Sequence, residues 1–216
     1  MITLFAAAAL ATACPTGIEG AQCRAVEATN AGQSATAAAE FETLAASSVG
    51  PQRDRALAAA GNMWLAAGDH GKAALALDKA LAGTGLQAEQ RGEALLDRAR
   101  VAEAQGDLKL ARAKVGEAEA TVSEDPFLWY FSAALAIREE NRAEAQRSIS
   151  RALTLEPNEP LVLFQAGHVH HFLGDEAKAR DYWTRAAAGD PSGPIGQKSK
   201  DALALMSKPV LPKSGQ

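Results

Sequence analysis

Aromatic residues make up only 5% of this 216-residue chain, and it has just two cysteines, Cys14 and Cys23. With so few rings and almost no β-branched runs, a sheet-built core is disfavoured, because strands draw on both. Two cysteines also exclude a disulfide-dense scaffold. Charge of one sign is missing: the formal net charge is −4, and basic and acidic residues interleave. No basic stripe marks a nucleic-acid surface, so no nucleic-acid partner is expected. Catalytic signatures are absent too. There is no Walker-type phosphate loop, no Gly-x-Gly-x-x-Gly opening a helix, no Gly-x-Ser-x-Gly elbow and no His-Glu-x-x-His. The chain therefore reads as a non-enzyme without a cofactor. What it has in abundance is alanine, which favours helix.

The alanines keep time. Ala111, Ala145 and Ala179 recur every 34 residues, as do Ala118, Ala152 and Ala186. The same step links Leu95, Trp129 and Leu163, then Ala99, Ala133 and Gly167, then Val115, Ile149 and Trp183, and finally Ser123, Pro157 and Pro191. A period of this length, with one helix–turn–helix per unit, predicts an all-α helical-hairpin solenoid. Small residues fall where paired helices approach closely, and Leu95 and Val115 fill the gaps beside them. Gly106-Asp107 makes one turn, between helices expected over about 93–105 and 108–121. Pro126 and Pro160 open helices at a position where a missing N–H costs nothing.

These positions resemble the tetratricopeptide repeat. Leu163, Gly167, His170, Gly174, Ala179, Trp183, Ala186 and Pro191 follow its pattern in order. Trp129, Ala133, Ala136, Ala145, Ile149, Ala152 and Pro157 do so one unit earlier, with Glu140-Asn141 at the turn, where Asn tolerates the left-handed conformation. The resemblance implies a right-handed superhelix of four copies, over 54–91, 92–125, 126–159 and 160–193. The first is lengthened by a loop at Gly83-Thr84-Gly85. A degenerate copy is expected within 14–53, a capping helix over 194–207 and a flexible tail over 208–216. In the cap, Leu203, Leu205 and Met206 are expected to seal the last repeat.

The N-terminus carries a separate signal. Residues 2–13 are small and apolar, too short for a membrane span of about 20 residues. Ala9-Leu10-Ala11 and Ala11-Thr12-Ala13 fit a signal-peptide cleavage site, although no basic residue precedes the apolar run. Residues 1–13 are accordingly a candidate signal peptide, which places the protein in the bacterial periplasm or outside the cell. If they are retained as an ordinary alanine-rich helix, the location is cytoplasmic. In an oxidising compartment, Cys14 and Cys23 are candidates for a disulfide. Ala11-Thr12-Ala13-Cys14 also resembles a lipoprotein box with its leucine one residue early, making a lipid anchor at Cys14 the rival.

His168 and His171 share a helix face and are the one pair that invites a metal ion. No Cys, Asp or Glu lies at matching helical spacing, so they read as structural or groove-lining, and no metal is assigned. In the resembling family, the first helix of each repeat lines a groove that receives extended peptides. Helical phase places Asn62, Arg100, Phe127, Tyr130, Phe164, His168 and His171 on that inner side, joined by Ala134 and Ile137. Phe131, Phe172 and His170 are assigned to packing. The family's carboxylate clamp is not reproduced: Ala58, Asp97 and Phe131 stand where basic or amide groups are needed. The expected function is a scaffold binding an unidentified peptide or partner subunit in the groove. The alternative is an assembly factor acting through its convex face or by self-association.

Overall fold

The computed structural model describes residues 14–206. Among these, eleven α-helices follow a 3₁₀ turn at Ile18–Gly20, and there are no strands. The candidate signal peptide and the tail beyond Met206 lie outside the described residues. The helices are α1 (Ala21–Asn30), α2 (Ser34–Ala46), α3 (Gly50–Ala66), α4 (His70–Ala82), α5 (Ala88–Ala104) and α6 (Leu108–Val122). They continue with α7 (Pro126–Arg138), α8 (Arg142–Leu155), α9 (Pro160–Leu173), α10 (Glu176–Gly189) and α11 (Pro194–Met206). The chain divides into two compact units between Gln90 and Arg91.

The first unit holds two hairpins, α1/α2 and α3/α4, with α2 packed on α3. The stretch read as a degenerate repeat thus forms a complete helical hairpin, and the next begins at Gly50 rather than at Asp54. Ala25, Ala37, Ala60, Ala73 and Ala80 are fully or almost fully buried along the seams. Gly61 lies directly against Leu77, leaving no room for a Cβ. A disulfide joins Cys14 to Cys23, with 5.6 Å between their Cα atoms. Arg24 holds the loop so formed: it donates to the Pro15 carbonyl at 2.6 Å and makes two hydrogen bonds to Glu40, at 2.8 and 2.6 Å. Asp54 is buried inside α3, and its carboxylate accepts the Gly85 N–H at 2.9 Å. It also lies tight against Gly83. The lengthened loop after α4 is therefore pinned by a side chain from α3, the first helix of the same hairpin.

The second unit runs from Arg91 through α11 as a succession of packed neighbours: α6 on α7, α7 on α8, α8 on α9, α9 on α10 and α10 on α11. Ala99, Ala111, Ala118, Ala133, Ala145, Ala152, Ala179 and Ala186 are all fully buried, as close helix approach requires. One seam is polar. The Ser132 and Ser148 hydroxyls share a hydrogen bond of 2.9 Å, and both are buried. Arg112 donates to the Ser132 hydroxyl at 2.7 Å and grips Glu139 through two of its nitrogens.

Turn chemistry repeats across both units. Asp69, Asp107, Asn141 and Asp175 each cap the second helix of a hairpin by accepting the N–H three residues on. The residue before each cap is left-handed: Gly68, Gly106 and Gly174 have φ near +80°. In the remaining turn the strained residue is Glu140, at φ 55°, and not Asn141, whose φ is −90°. The sequence expectation was one position off, because Asn serves as the cap and the tight bend precedes it. The last helix also differs from expectation. Gly196 and Ser199 are its buried residues, Leu203 is half-buried and Leu205 is 65% exposed. Leu203 and Leu205 stand two residues apart, roughly opposite on a helix, so both cannot face the array. Asp190 starts this helix by accepting the N–H groups of Ile195 and Gly196 at 2.9 and 3.1 Å.

Candidate functional site

α7 is positioned by its first turn. Asp125 accepts the Phe127 N–H at 2.8 Å, and Pro126 supplies a preset φ. This places Phe127 beside Tyr130, with ring centroids 5.8 Å apart, and in parallel stacking with Phe131 at 6.3 Å. Arg100, on α5, lays its guanidinium 5.6 Å from the centre of the Phe127 ring while pairing with Asp97 at 3.0 Å. Such a contact holds a cation at low desolvation cost. Burial raises the Tyr130 hydroxyl above its ordinary pKa, with Arg100 partly offsetting the rise. Arg100, Phe127 and Tyr130, three of the residues that helical phase assigns to the inner side, thus form one cluster.

A second cluster sits on α9. The His168 ring meets Phe164 edge-on at 4.5 Å and Trp183 at 5.1 Å; His171 lies 5.9 Å from Trp183. Trp183 is fixed in turn by donating its indole N–H to the Phe164 carbonyl at 3.1 Å. Burial, and secondarily the neighbouring His171, hold the His168 imidazole below the ordinary histidine pKa. His171 is exposed and pairs through Nδ1 with Glu176 at 2.9 Å. His170 points the other way: it is buried, stacks on Tyr182 at 5.2 Å, and is held low in pKa by burial and then by Lys178.

Between α7 and α9 lies an open concavity of about 490 Å³, lined by Ala134, Ile137, Gln165, His168, His171 and Phe172. Ala134 follows Tyr130 by one helical turn and so lies on the same side of α7. Phe172, assigned to packing in the sequence, is half-buried and faces this space. Gln165 was missed altogether. Its signal was the single amide in an otherwise apolar stretch from Leu161 to Gly167. Asn62 is half-buried on α3 and belongs to the first unit, whereas the other predicted groove residues belong to the second.

A second depression of about 450 Å³, near α6 and α8, is lined by Arg112, Glu119, Glu139, Glu144 and Arg147 among others. Its charges satisfy one another: Arg147 pairs with Glu144 at 2.8 Å and with Glu119 at 3.3 Å. Burial pushes the Glu144 pKa up, but hydrogen bonds from Arg147 and Ser148 outweigh it and hold the group low. Among the described residues, the one trio of side chains close enough to share a metal ion is Cys14, Cys23 and Glu27, and its sulfurs are already joined to each other.

No protein-family model matches the chain, and no curated protein matches it. Solved structures do. A tetratricopeptide repeat protein from Parabacteroides merdae superposes with a TM-score of 0.69 at 15% identity, over 88% of this chain and 73% of its own. This chain has the tetratricopeptide repeat fold. TTC0263 of Thermus thermophilus, also a tetratricopeptide repeat protein, matches with a TM-score of 0.66 at 20% identity, over 88% of this chain and 100% of its own. YrrB, described as a tetratricopeptide repeat protein with an unusual peptide-binding site, has a TM-score of 0.59 at 16% identity, over 82% of this chain and 88% of its own. In tetratricopeptide repeat terms, α5, α7 and α9 are first helices of their hairpins and α6, α8 and α10 are second helices. Among the described residues, no helix is long and apolar enough to cross a membrane.

Proposed function

We propose that this protein is a non-enzymatic scaffold whose second unit receives an extended peptide or partner segment along the first-helix face. The supporting observation is the clustering of Arg100, Phe127 and Tyr130, with the concavity between α7 and α9 lined by Ala134, one helical turn on from Tyr130. Large rings offer contact area at low entropic cost, and a half-buried arginine adds a directional polar anchor. The peptide-binding site described for YrrB is a precedent within the same fold. A bait carrying both Tyr130→Ala and Arg100→Ala should lose the partner that the unaltered protein retains in a pull-down from envelope extract. Full retention would sink the groove as the binding surface.

The cellular setting proposed is the bacterial envelope, reached by removal of residues 1–13. The disulfide between Cys14 and Cys23 supports this, since such bonds persist in oxidising compartments. A lipid on Cys14 is incompatible with that bond. Intact mass of protein recovered from cells separates the cases: a chain beginning at Met1 with two free thiols contradicts export. Leu205, 65% exposed on the terminal helix, favours one secondary reading, self-association through that end. Sedimentation of the wild type and of Leu205→Lys over a range of concentrations decides it, because only a dimer built on this end is lost in the variant.

A further inference from the structure

Gln165 is anomalous in its surroundings. It is 6% exposed, hydrogen-bonds to no described residue, and lines the concavity between α7 and α9. The residue is enclosed by its neighbours, but its amide is not sealed from water; it opens into the concavity, where an incoming polar group can take the place of solvent. Its neighbours across the space are apolar, Ala134, Ile137 and Phe172. No carboxylate lines it; the nearby Glu176 is committed to His171. A lysine or arginine side chain would find no counter-charge there. An acidic one would face one neutral amide and imidazoles, of which His168 is disfavoured as a cation by burial and by His171. A primary amide offers a donor and an acceptor side by side, which is the complement of a peptide group. The volume, about 490 Å³, suits an aliphatic side chain together with its backbone.

We infer that Gln165 is the polar anchor of this concavity, pairing with a backbone peptide group of an extended, uncharged segment whose aliphatic side chain rests on Ala134, Ile137 and Phe172. This rests on the proposal that the first-helix face binds peptide, and it adds which chemistry the α9 end selects. Uncharged aliphatic segments are favoured here, and segments with a charged residue at this point are rejected.

The test uses three acetylated, amidated pentapeptides, Ala-Ala-X-Ala-Ala with X as Leu, Glu or Lys, titrated at millimolar concentration into the ¹⁵N-labelled chain. The Leu peptide should shift the side-chain NH₂ signals of Gln165, and the Glu and Lys peptides should bind at least about fivefold more weakly. Gln165→Leu, of similar volume, should weaken the Leu peptide about tenfold, equivalent to about 1.4 kcal/mol. The wild-type NH₂ signals need no variant, so the result stands even if Gln165→Leu folds poorly. Shifts on α7 that leave the Gln165 NH₂ untouched, or tightest binding by the Glu peptide, overturn the inference while leaving a peptide groove intact. If no peptide shifts any signal of α7 or α9, the groove proposal falls with it.

Discussion

Gly167 lies directly under the indole of Trp183, and a Cβ built on that glycine would overlap the ring. The two are 16 residues apart, as are Gly61 and Leu77, which stand in the same relation in the first unit. These two hairpins thus each set a glycine on the first helix against a large residue on the second. The ring above Gly167 also carries the histidine cluster, so this contact joins packing to the candidate site.

Gly167→Ala should therefore destabilise the protein by about 1–3 kcal/mol, because the Trp183 ring must leave a position fixed by its hydrogen bond to Phe164. Ordinarily, replacing a mid-helix glycine with alanine stabilises by about 0.5–1 kcal/mol. The sign of the change in a urea unfolding curve thus decides whether the contact holds. The histidine cluster should be disturbed as well, visible as altered chemical shifts of the His168 ring.

Glu140 is the one non-glycine residue with a positive φ among those described. Glu140→Gly should stabilise by about 0.5–1 kcal/mol, the relief of a left-handed side chain less the added freedom of the unfolded chain. For a domain of this size that is a rise in thermal midpoint of about 1–4 °C. Glu140→Ala keeps the Cβ and should give no such rise. The pair of scans isolates backbone strain from loss of charge.

Reducing the bond between Cys14 and Cys23, whose sequence separation is 9, should lower the stability of the first unit by about 2–3 kcal/mol on loop-entropy grounds. Hydrogen exchange with and without reductant measures this by region. Amides of α1 and α2 should exchange faster after reduction, and amides of α9 and α10 should not. Uniform change, or none, contradicts a local tether.

Acidification should weaken the second unit before its carboxylates titrate. Both His168 and His170 have folded-state pKa values below the ordinary 6.5, so each is protonated more readily in the unfolded chain. Their contribution is complete above about pH 6.5 and declines as pH falls from there through the lower folded values. Glu144 and Asp175, held below the usual carboxylate range, add a further loss only in more acid solution. Urea midpoints between pH 7.5 and 5 should fall, and fall less in His170→Phe. A midpoint that rises on acidification would contradict the burial argument.

Much of the fold could be read from the letters because its rules are steric. A close helix approach admits only Gly, Ala or Ser, so Ala111, Ala145 and Ala179 reveal the seams directly. Caps are equally legible, since an Asp or Asn after a tight turn has one local use. The site was half visible. Phe127, Tyr130 and His168 follow from helical phase, but Gln165 does not. One amide in an apolar helix looks the same in a sequence whether it is satisfied inside the core or opens into a concavity. Asp54 escaped for the same reason, its partner Gly85 lying 31 residues away. Hydrophobicity alone suggests Leu205 as a sealing residue, whereas its angular position on α11 turns it outward.

The hydroxyl pair Ser132 and Ser148, gripped by Arg112, bears on how a chain of near-copies avoids confusing them. Alanine seams are interchangeable: a helix that fits one fits another, and a slipped neighbour would lose little contact. A layer of directional hydrogen bonds is not interchangeable, because a misplaced partner strands buried hydroxyls and an arginine. That layer gives α7 and α8 a mutual password, and a serine-to-alanine exchange at both positions should show up less as lost stability than as a wider spread of misassembled forms during refolding.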